Sequence, residues 1–293
     1  MKPIILTLAA LIAGVALSPQ EAEAQANRTF VSGHGSDTNP CSLSAPCRSF
    51  AQALTQTNAG GEITVLDSAG YGTVAINKAI SITAPDGIEG GITTSSAVDA
   101  IDVSAGGGDV VNLRGLTLTG GGIGNDGINF TGGATLNVQN CVIRGFANDG
   151  ITAVAGSLNV SDTIVSGNAS VGVHIFAGGG VVLRVQATGN HSGVVVATAA
   201  TVAIDGSVAA ENAAQGFDAL GGGTVTLVNS KAINNGNGLN SSSAGTRLEL
   251  SGTTISGNAV GYFINTAGTM FTFGNNIIDD TTNIGTLTRI FPQ

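Results

Sequence analysis

Tryptophan is absent from the 293 residues, tyrosine occurs only twice, and charged residues make up just 10% of the chain. Saccharide grooves commonly rest a sugar ring on an aromatic face, so the usual means of tight sugar binding is missing. Most of the ten phenylalanines fall at inward positions of the pattern described below. Basic residues number 10 against 19 acidic ones, with no basic run. Such a surface cannot neutralise many phosphates, which argues against nucleic acid as a partner. His34, His174 and His191 are scattered, and the chain has only three cysteines, so neither residue type forms a transition-metal motif.

Residues 1–24 read as an export signal, with Lys2 ahead of an apolar run from Ile4 to Leu17 and a small-x-small site at Ala22-Glu23-Ala24. The alternatives are cleavage at Ala24-Gln25-Ala26 or a retained anchor, although the run is shorter than the ~20 residues a spanning helix needs. After cleavage no membrane span remains, and the protein is expected to be secreted, periplasmic or at the cell surface. Removing Lys2, Glu21 and Glu23 with this segment takes the formal charge from −9 to −8. Cys41 and Cys47, close together in a polar loop, fit a small disulfide in an oxidising compartment. Cys141 reads as a small buried filler.

From Thr135 to about Ile284 the chain repeats itself roughly every 22 residues. Units open on apolar-x-apolar steps such as Leu136-Asn137-Val138, Leu158-Asn159-Val160, Val225-Thr226-Leu227 and Leu248-Glu249-Leu250. Each such step puts alternate side chains on one face of a strand. A second short strand follows a glycine in each unit, as at Gly150-Ile151, Gly172-Val173-His174-Ile175 and Gly216-Phe217. A strand-only repeat of this length suits one coil of a parallel β-helix. Asn168, Asn190, Asn212, Asn235 and Asn258 recur at spacings of 22, 22, 23 and 23 residues. Neighbouring parallel strands lie ~4.8 Å apart, so stacked coils would bring these amides into a hydrogen-bonded ladder. Val181-Val182-Leu183-Arg184-Val185 breaks the alternation, and a bulge or longer turn is expected there. The Gly-rich runs at 106–108, 120–122, 178–180 and 221–223 are expected at corners needing positive φ.

Phe30 to Asp37, Asn39-Pro40-Cys41 and Pro46 to Leu54 read as a strand, a turn and a short helix. Ser44 is the expected helix cap, Pro46 suits its first turn, and Phe50 and Leu54 form an apolar stripe. This helix would cover the open apolar end of the coil. Repeat, ladder and cap together resemble the right-handed parallel β-helix proteins of the pectate-lyase-like superfamily. The expected fold class is therefore all-β, a single-stranded right-handed parallel β-helix of about ten coils with an N-terminal helical cap. Its expected divisions are a signal over residues 1–24, a cap over 25–61 and the β-helix over 62–293. Residues 279–293 lose the period and read as a segment folding over the last coil.

Asp99, Asp126 and Asp149 each stand just before the Gly or Ala that opens a second strand, so they are expected to stack. Like charges that close raise one another's pKa or recruit a cation, so the column is a candidate Ca²⁺ site or acid–base pair. Asp102, Asn129, Thr152, His174 and Asp218 are expected on the neighbouring outward column, which puts an imidazole near the carboxylates. The candidate catalytic residues are Asp126, Asp149 and His174; Asp102, Asn129 and Asp218 are candidate ligand contacts. Asn125-Asp126-Gly127 and Asn148-Asp149-Gly150 are similar to the Asn-x-Asp-Gly element of polygalacturonases, without its Arg-x-Lys partner. Asn-Asp-Gly is also an ordinary turn sequence. The reading for function is contact with an extended polysaccharide in a binding or surface-structural role; the rival is a polysaccharide lyase or glycoside hydrolase.

Overall fold

A computed structural model describes residues 26–265 and 267–291. The expected signal, residues 1–24, lies outside them. Every strand pairing is parallel, and the strands fall into three sheets of twelve, nine and ten, here called A, C and B. The chain visits A, B and C in turn, which gives nine complete coils between Thr57–Val65 and Val260–Ile264. The count is one below the ten expected: Thr269–Thr272 and Ile277–Ile278 open a further coil whose third side carries no strand.

The fixed period converts sequence spacing into stacking. In sheet A, Leu136, Leu158, Gly180, Val202, Val225, Leu248 and Met270 stand over one another at a single inward position. Except for Gly180, these side chains are buried, and together with the inward residues of the other sheets they form one continuous apolar core. The bulge expected at 181–185 is not there. Gly179–Leu183 pairs without interruption with both neighbouring strands, because Gly180 occupies the inward place and Val182 the next one. A Cβ on Gly180 would run into the Leu158 carbonyl, so the alternation survives with its side chain left out.

The corners explain the constant period. Leaving sheet A, every coil from the third on turns on a left-handed residue: Gly115, Asn140, Asp162, Arg184, Gly206, Asn229, Gly252 and Gly274. Among the Gly-rich runs, 120–122, 178–180 and 221–223 contain positive-φ residues, whereas 106–108 does not. At the next corner the residue before each ladder asparagine is also left-handed, as in Gly167, Gly189, Glu211, Asn234 and Gly257. That places the amides in line: Asn168 Nδ2 donates to Asn190 Oδ1 at 2.9 Å, Asn212 to Asn235 at 2.9 Å and Asn235 to Asn258 at 3.0 Å. Each Oδ1 also accepts the backbone N–H of the asparagine one coil back. The ladder runs one rung further than its asparagines, since Asn258 Nδ2 donates to Asp280 Oδ2 at 2.8 Å.

At the N-terminus, Ala26–Val31 extends sheet A and the helix Phe50–Gln56 covers the first coil. Its cap is Ser49 and not Ser44: the Ser49 Oγ accepts the Gln52 N–H at 3.2 Å, and Asp37 holds Ser49 in place through its backbone N–H and hydroxyl. Pro46 therefore precedes the helix. The Cys41–Cys47 disulfide forms with a Cα separation of 4.6 Å, and its loop pairs with the outer edge of Ala26–Val31 through Phe30 and Ser32. Cys141 is buried and unbonded to other cysteines. At the C-terminus Thr288–Arg289 adds a last pairing to sheet A and Leu287 packs against the core, while Phe291 is 72% exposed.

Candidate functional site

The predicted catalytic, ligand-binding and metal residues lie on sheet C or on the corners that lead into it. Two of its outward columns are set by register. The first runs Asp99, Asp126, Asp149 and then Val171, each one step before the glycine or alanine that leads into the strand. The second runs Ala75, Asp102, Asn129, Thr152, His174, Val195, Asp218, Asn240 and Phe263, without a break over nine coils. The expected stacking of both columns is what the structure shows. Val195 and Asn240 were not anticipated, although Asn240 follows Asp218 at the repeat spacing.

The aspartates are built into the backbone. Asp99 Oδ1 accepts the Asp126 N–H at 3.1 Å, Asp126 Oδ1 the Asp149 N–H at 3.0 Å, and Asp149 Oδ1 the Val171 N–H at 2.8 Å. One oxygen of each carboxylate thus satisfies an amide of the next coil, whereas each amide oxygen of the asparagine ladder satisfies an amide of the coil before it. The other oxygens reach toward the second column. Asn129 Nδ2 donates to Asp99 Oδ2 at 3.0 Å, and Thr152 Oγ1 donates to Asp149 Oδ2 at 3.1 Å.

His174 joins the same carboxylate: its Nδ1 lies 2.9 Å from Asp149 Oδ2, with the two side chains only 17% and 11% exposed. The Phe176 ring stands beside the imidazole, centroids 3.7 Å apart. Burial alone would raise the Asp149 carboxyl, but hydrogen bonds from His174, Ser170 and the Val171 N–H outweigh it and hold the group below its ordinary value. Asp126 shifts the other way, because burial and the charges of Asp149 and Asp99 exceed the help from the Asp149 N–H and Thr152. Asp102 is raised by burial and by Asp99. Two coils past His174, burial pushes Asp218 up to about 6, although Asn240 Nδ2 donates to its Oδ1 at 2.7 Å.

Loop lengths shape this face. The segments joining sheet B to sheet C are long in the second and third coils, at 94–100 and 120–127, against 71–73 in the first, and shorten to 167–170 further on. The long ones project Val98 and Ile123 into solvent and wall an open cleft of about 330 Å³ lined by Val74, Ala75, Val98, Asp99, Asp102 and Asn125. Nothing in the residue pattern marked this cleft in advance. Among the described residues no group of three or more His, Cys, Asp or Glu could hold a metal ion, Asp99, Asp126 and Asp149 included. Both oxygens of Asp99 and of Asp149, and one of Asp126, already face N–H or O–H donors, an arrangement that does not fit calcium as a resident cofactor of this column.

No family model matches the chain, and no curated protein matches it. Solved structures do. Pectate lyase Pel9A superposes with a TM-score of 0.56 at 16% identity, covering 92% of this chain and 78% of that one. The A-module of the Azotobacter vinelandii mannuronan C-5 epimerase AlgE4 gives 0.53 at 15% identity, over 91% and 89%. A rhamnogalacturonan lyase gives 0.52 at 12% identity, over 90% and 86%. The likeness is one of fold: the chain is a right-handed parallel β-helix of the kind that pectate lyase adopts.

Proposed function

We propose that the protein contacts an extended polysaccharide along the outward face of sheet C, at or outside the cell envelope, in a binding or surface-structural role. The observation that carries this reading is the unbroken column from Ala75 to Phe263, which sets one side chain per coil along a straight line, with Ala75, Asp102, Asn129, His174 and Phe263 reaching the surface, and opens at one end into the cleft. A polymer of repeating units meets such a face at regular intervals, a geometry that a small ligand would not use. The solved structures of like fold include proteins named for pectate, mannuronan and rhamnogalacturonan, in keeping with a polysaccharide partner. The Cys41–Cys47 disulfide suits an oxidising compartment outside the cytoplasm, and no helix among the described residues is long and apolar enough to cross a membrane. The test is retention on immobilised polysaccharides. Val154→Arg, at an exposed site just past the sheet C strand Ile151–Ala153, should abolish retention, and Ile164→Arg, exposed on sheet B, should not. Equal loss or equal retention would remove sheet C from consideration.

A second reading rests on the Asp149–His174 hydrogen bond, the arrangement a general base needs when a carboxylate orients it. Here Asp126 and Asp149 would serve a lyase or glycosidase with His174 assisting. Asp149→Asn preserves the Val171 contact, because an amide oxygen accepts the same N–H. If a screen on polysaccharides gives no turnover by the natural protein, or the same turnover by this variant, the catalytic reading fails.

A further inference from the structure

Most cations of the chain have evident partners or full exposure. Arg28, Arg114, Arg184 and Arg247 pair with Glu62, Asp86, Asp162 and Glu249, Arg48 and Arg289 lie over the rings of Tyr71 and Phe291, and Arg144 and Lys231 stand exposed on strands of sheet B. Lys78 fits none of these. It is half-buried just past Val74–Ile76, the first strand of sheet C, and among the described residues no Asp or Glu is in ion-pair contact with it. Its Nζ donates to the Thr57 carbonyl at the C-cap of the helix, which uses one of its three N–H donors. Burial holds the ammonium below its ordinary pKa, with no neighbouring charge to offset it. The same side chain lines a second cavity, of about 400 Å³, between helix and strand, together with Ala51, Leu54, Thr55, Ala75 and Asn77. Ala75 also lines the cleft that holds Asp99 and Asp102, so the two cavities meet across it as one groove.

Resting on the polysaccharide reading above, we propose that this groove takes a polysaccharide whose carboxylates are isolated among neutral sugars, one uronate seated at Lys78 and the neutral units beside it crossing Ala75 to Asp102. A half-buried ammonium without a counter-ion is the group a ligand carboxylate stabilises most, because the pair forms where water is already partly excluded. Ala51, Leu54 and Ala75 give a sugar ring an apolar wall, and the Asn77 amide offers hydroxyls both a donor and an acceptor. At the other end of the groove Asp102 has no hydrogen-bond or ion-pair partner among the described residues, and a carboxylate accepts hydrogen bonds from sugar hydroxyls. Asp102 stands beside Ala75 in the next coil, and Lys78 follows Ala75 by three residues, at most roughly 11 Å of chain. A polyuronate laid across that distance would set a further carboxylate against Asp102, and the strands of sheet C hold no Lys or Arg to receive it. A neutral neighbour avoids that repulsion.

The experiment is calorimetric titration of the full chain at neutral pH and low salt with three probes: a xylose oligomer, the same oligomer bearing one glucuronate, and a galacturonate oligomer. The singly acidic oligomer should bind at least about tenfold more tightly than either of the others. Lys78→Gln keeps an amide donor for the Thr57 carbonyl but removes the charge, and Asn77→Asp sets a carboxylate in the same cavity without touching that contact. Each should weaken binding of the singly acidic oligomer about tenfold, to the level of the neutral one, with melting temperatures showing both variants folded. Equal binding of the neutral and singly acidic oligomers by the natural protein, or a preference that survives either substitution, would overturn the inference while leaving a polysaccharide face in place. A galacturonate oligomer binding as tightly as the singly acidic one would overturn it as well, by showing that neutral neighbours are not required. If none of the three binds, the polysaccharide reading itself falls.

Discussion

Asp218→Asn is expected to stabilise the protein at neutral pH and to leave its stability nearly unchanged in acid. Asp218 is only 4% exposed, and burial raises its pKa from the ordinary 3.8 to about 6. The folded state therefore holds a proton that the unfolded chain releases between those two values. Since stability falls with pH wherever the folded state binds more protons, the loss begins near 3.8 and is complete above about 6. Its full size is about 3 kcal/mol, taking 1.36 kcal/mol for each pH unit. An asparagine has no such proton to lose, and its Oδ1 can still accept from Asn240. The groups facing the carboxylate are neutral Val195 and Asn240 on the adjacent coils, with the His174 imidazole two coils away. Thermal melts followed by circular dichroism should show the variant melting roughly 5–10 °C above the natural protein at neutral pH, the gap closing as pH falls below about 4. Parallel melting curves at all pH values, or a variant less stable at neutral pH, would refute the argument.

Three further outcomes follow from the packing. Asn212→Ala removes the acceptor of the Asn190 N–H and the donor to the Ala187 carbonyl inside a buried ladder, so urea unfolding should show a loss of roughly 3–5 kcal/mol. Ser49→Ala should cost about 1 kcal/mol by the same measurement, whereas Ser44→Ala should stay within about 0.5, because only Ser49 caps the helix. Reducing the Cys41–Cys47 bridge should lower stability by about 2 kcal/mol and free the loop that pairs with Ala26–Val31, read as faster hydrogen exchange at Phe30 and Ser32.

In a solenoid, a constant period makes residues one repeat apart neighbours in space, so columns are legible before any coordinates. This is why Asn168 to Asn258 could be read as a ladder, and why Asp99, Asp126 and Asp149 could be placed over one another. It is also why Gly180 misled: a missing side chain looks like a broken pattern, yet the backbone keeps its place. Contacts that cross columns were less accessible. His174 reaches Asp149, one coil and three residues away, and nothing in a one-dimensional repeat says which rotamer bridges that gap. The same holds for the cap, where Ser44 is the expected serine but Asp37 fixes Ser49 in that place.

The sequence by itself determined the coil, its period, the polar column at its bend and the outward register of sheet C, because each depends only on spacing along the chain. The burial of Asp218, the sharing of carboxylate oxygens between backbone amides and His174, and the cleft walled by residues 94–100 and 120–127 were decided by the tertiary structure. These depend on how far each side chain and loop projects from the coil and what it meets there, and that is a property of the assembled surface.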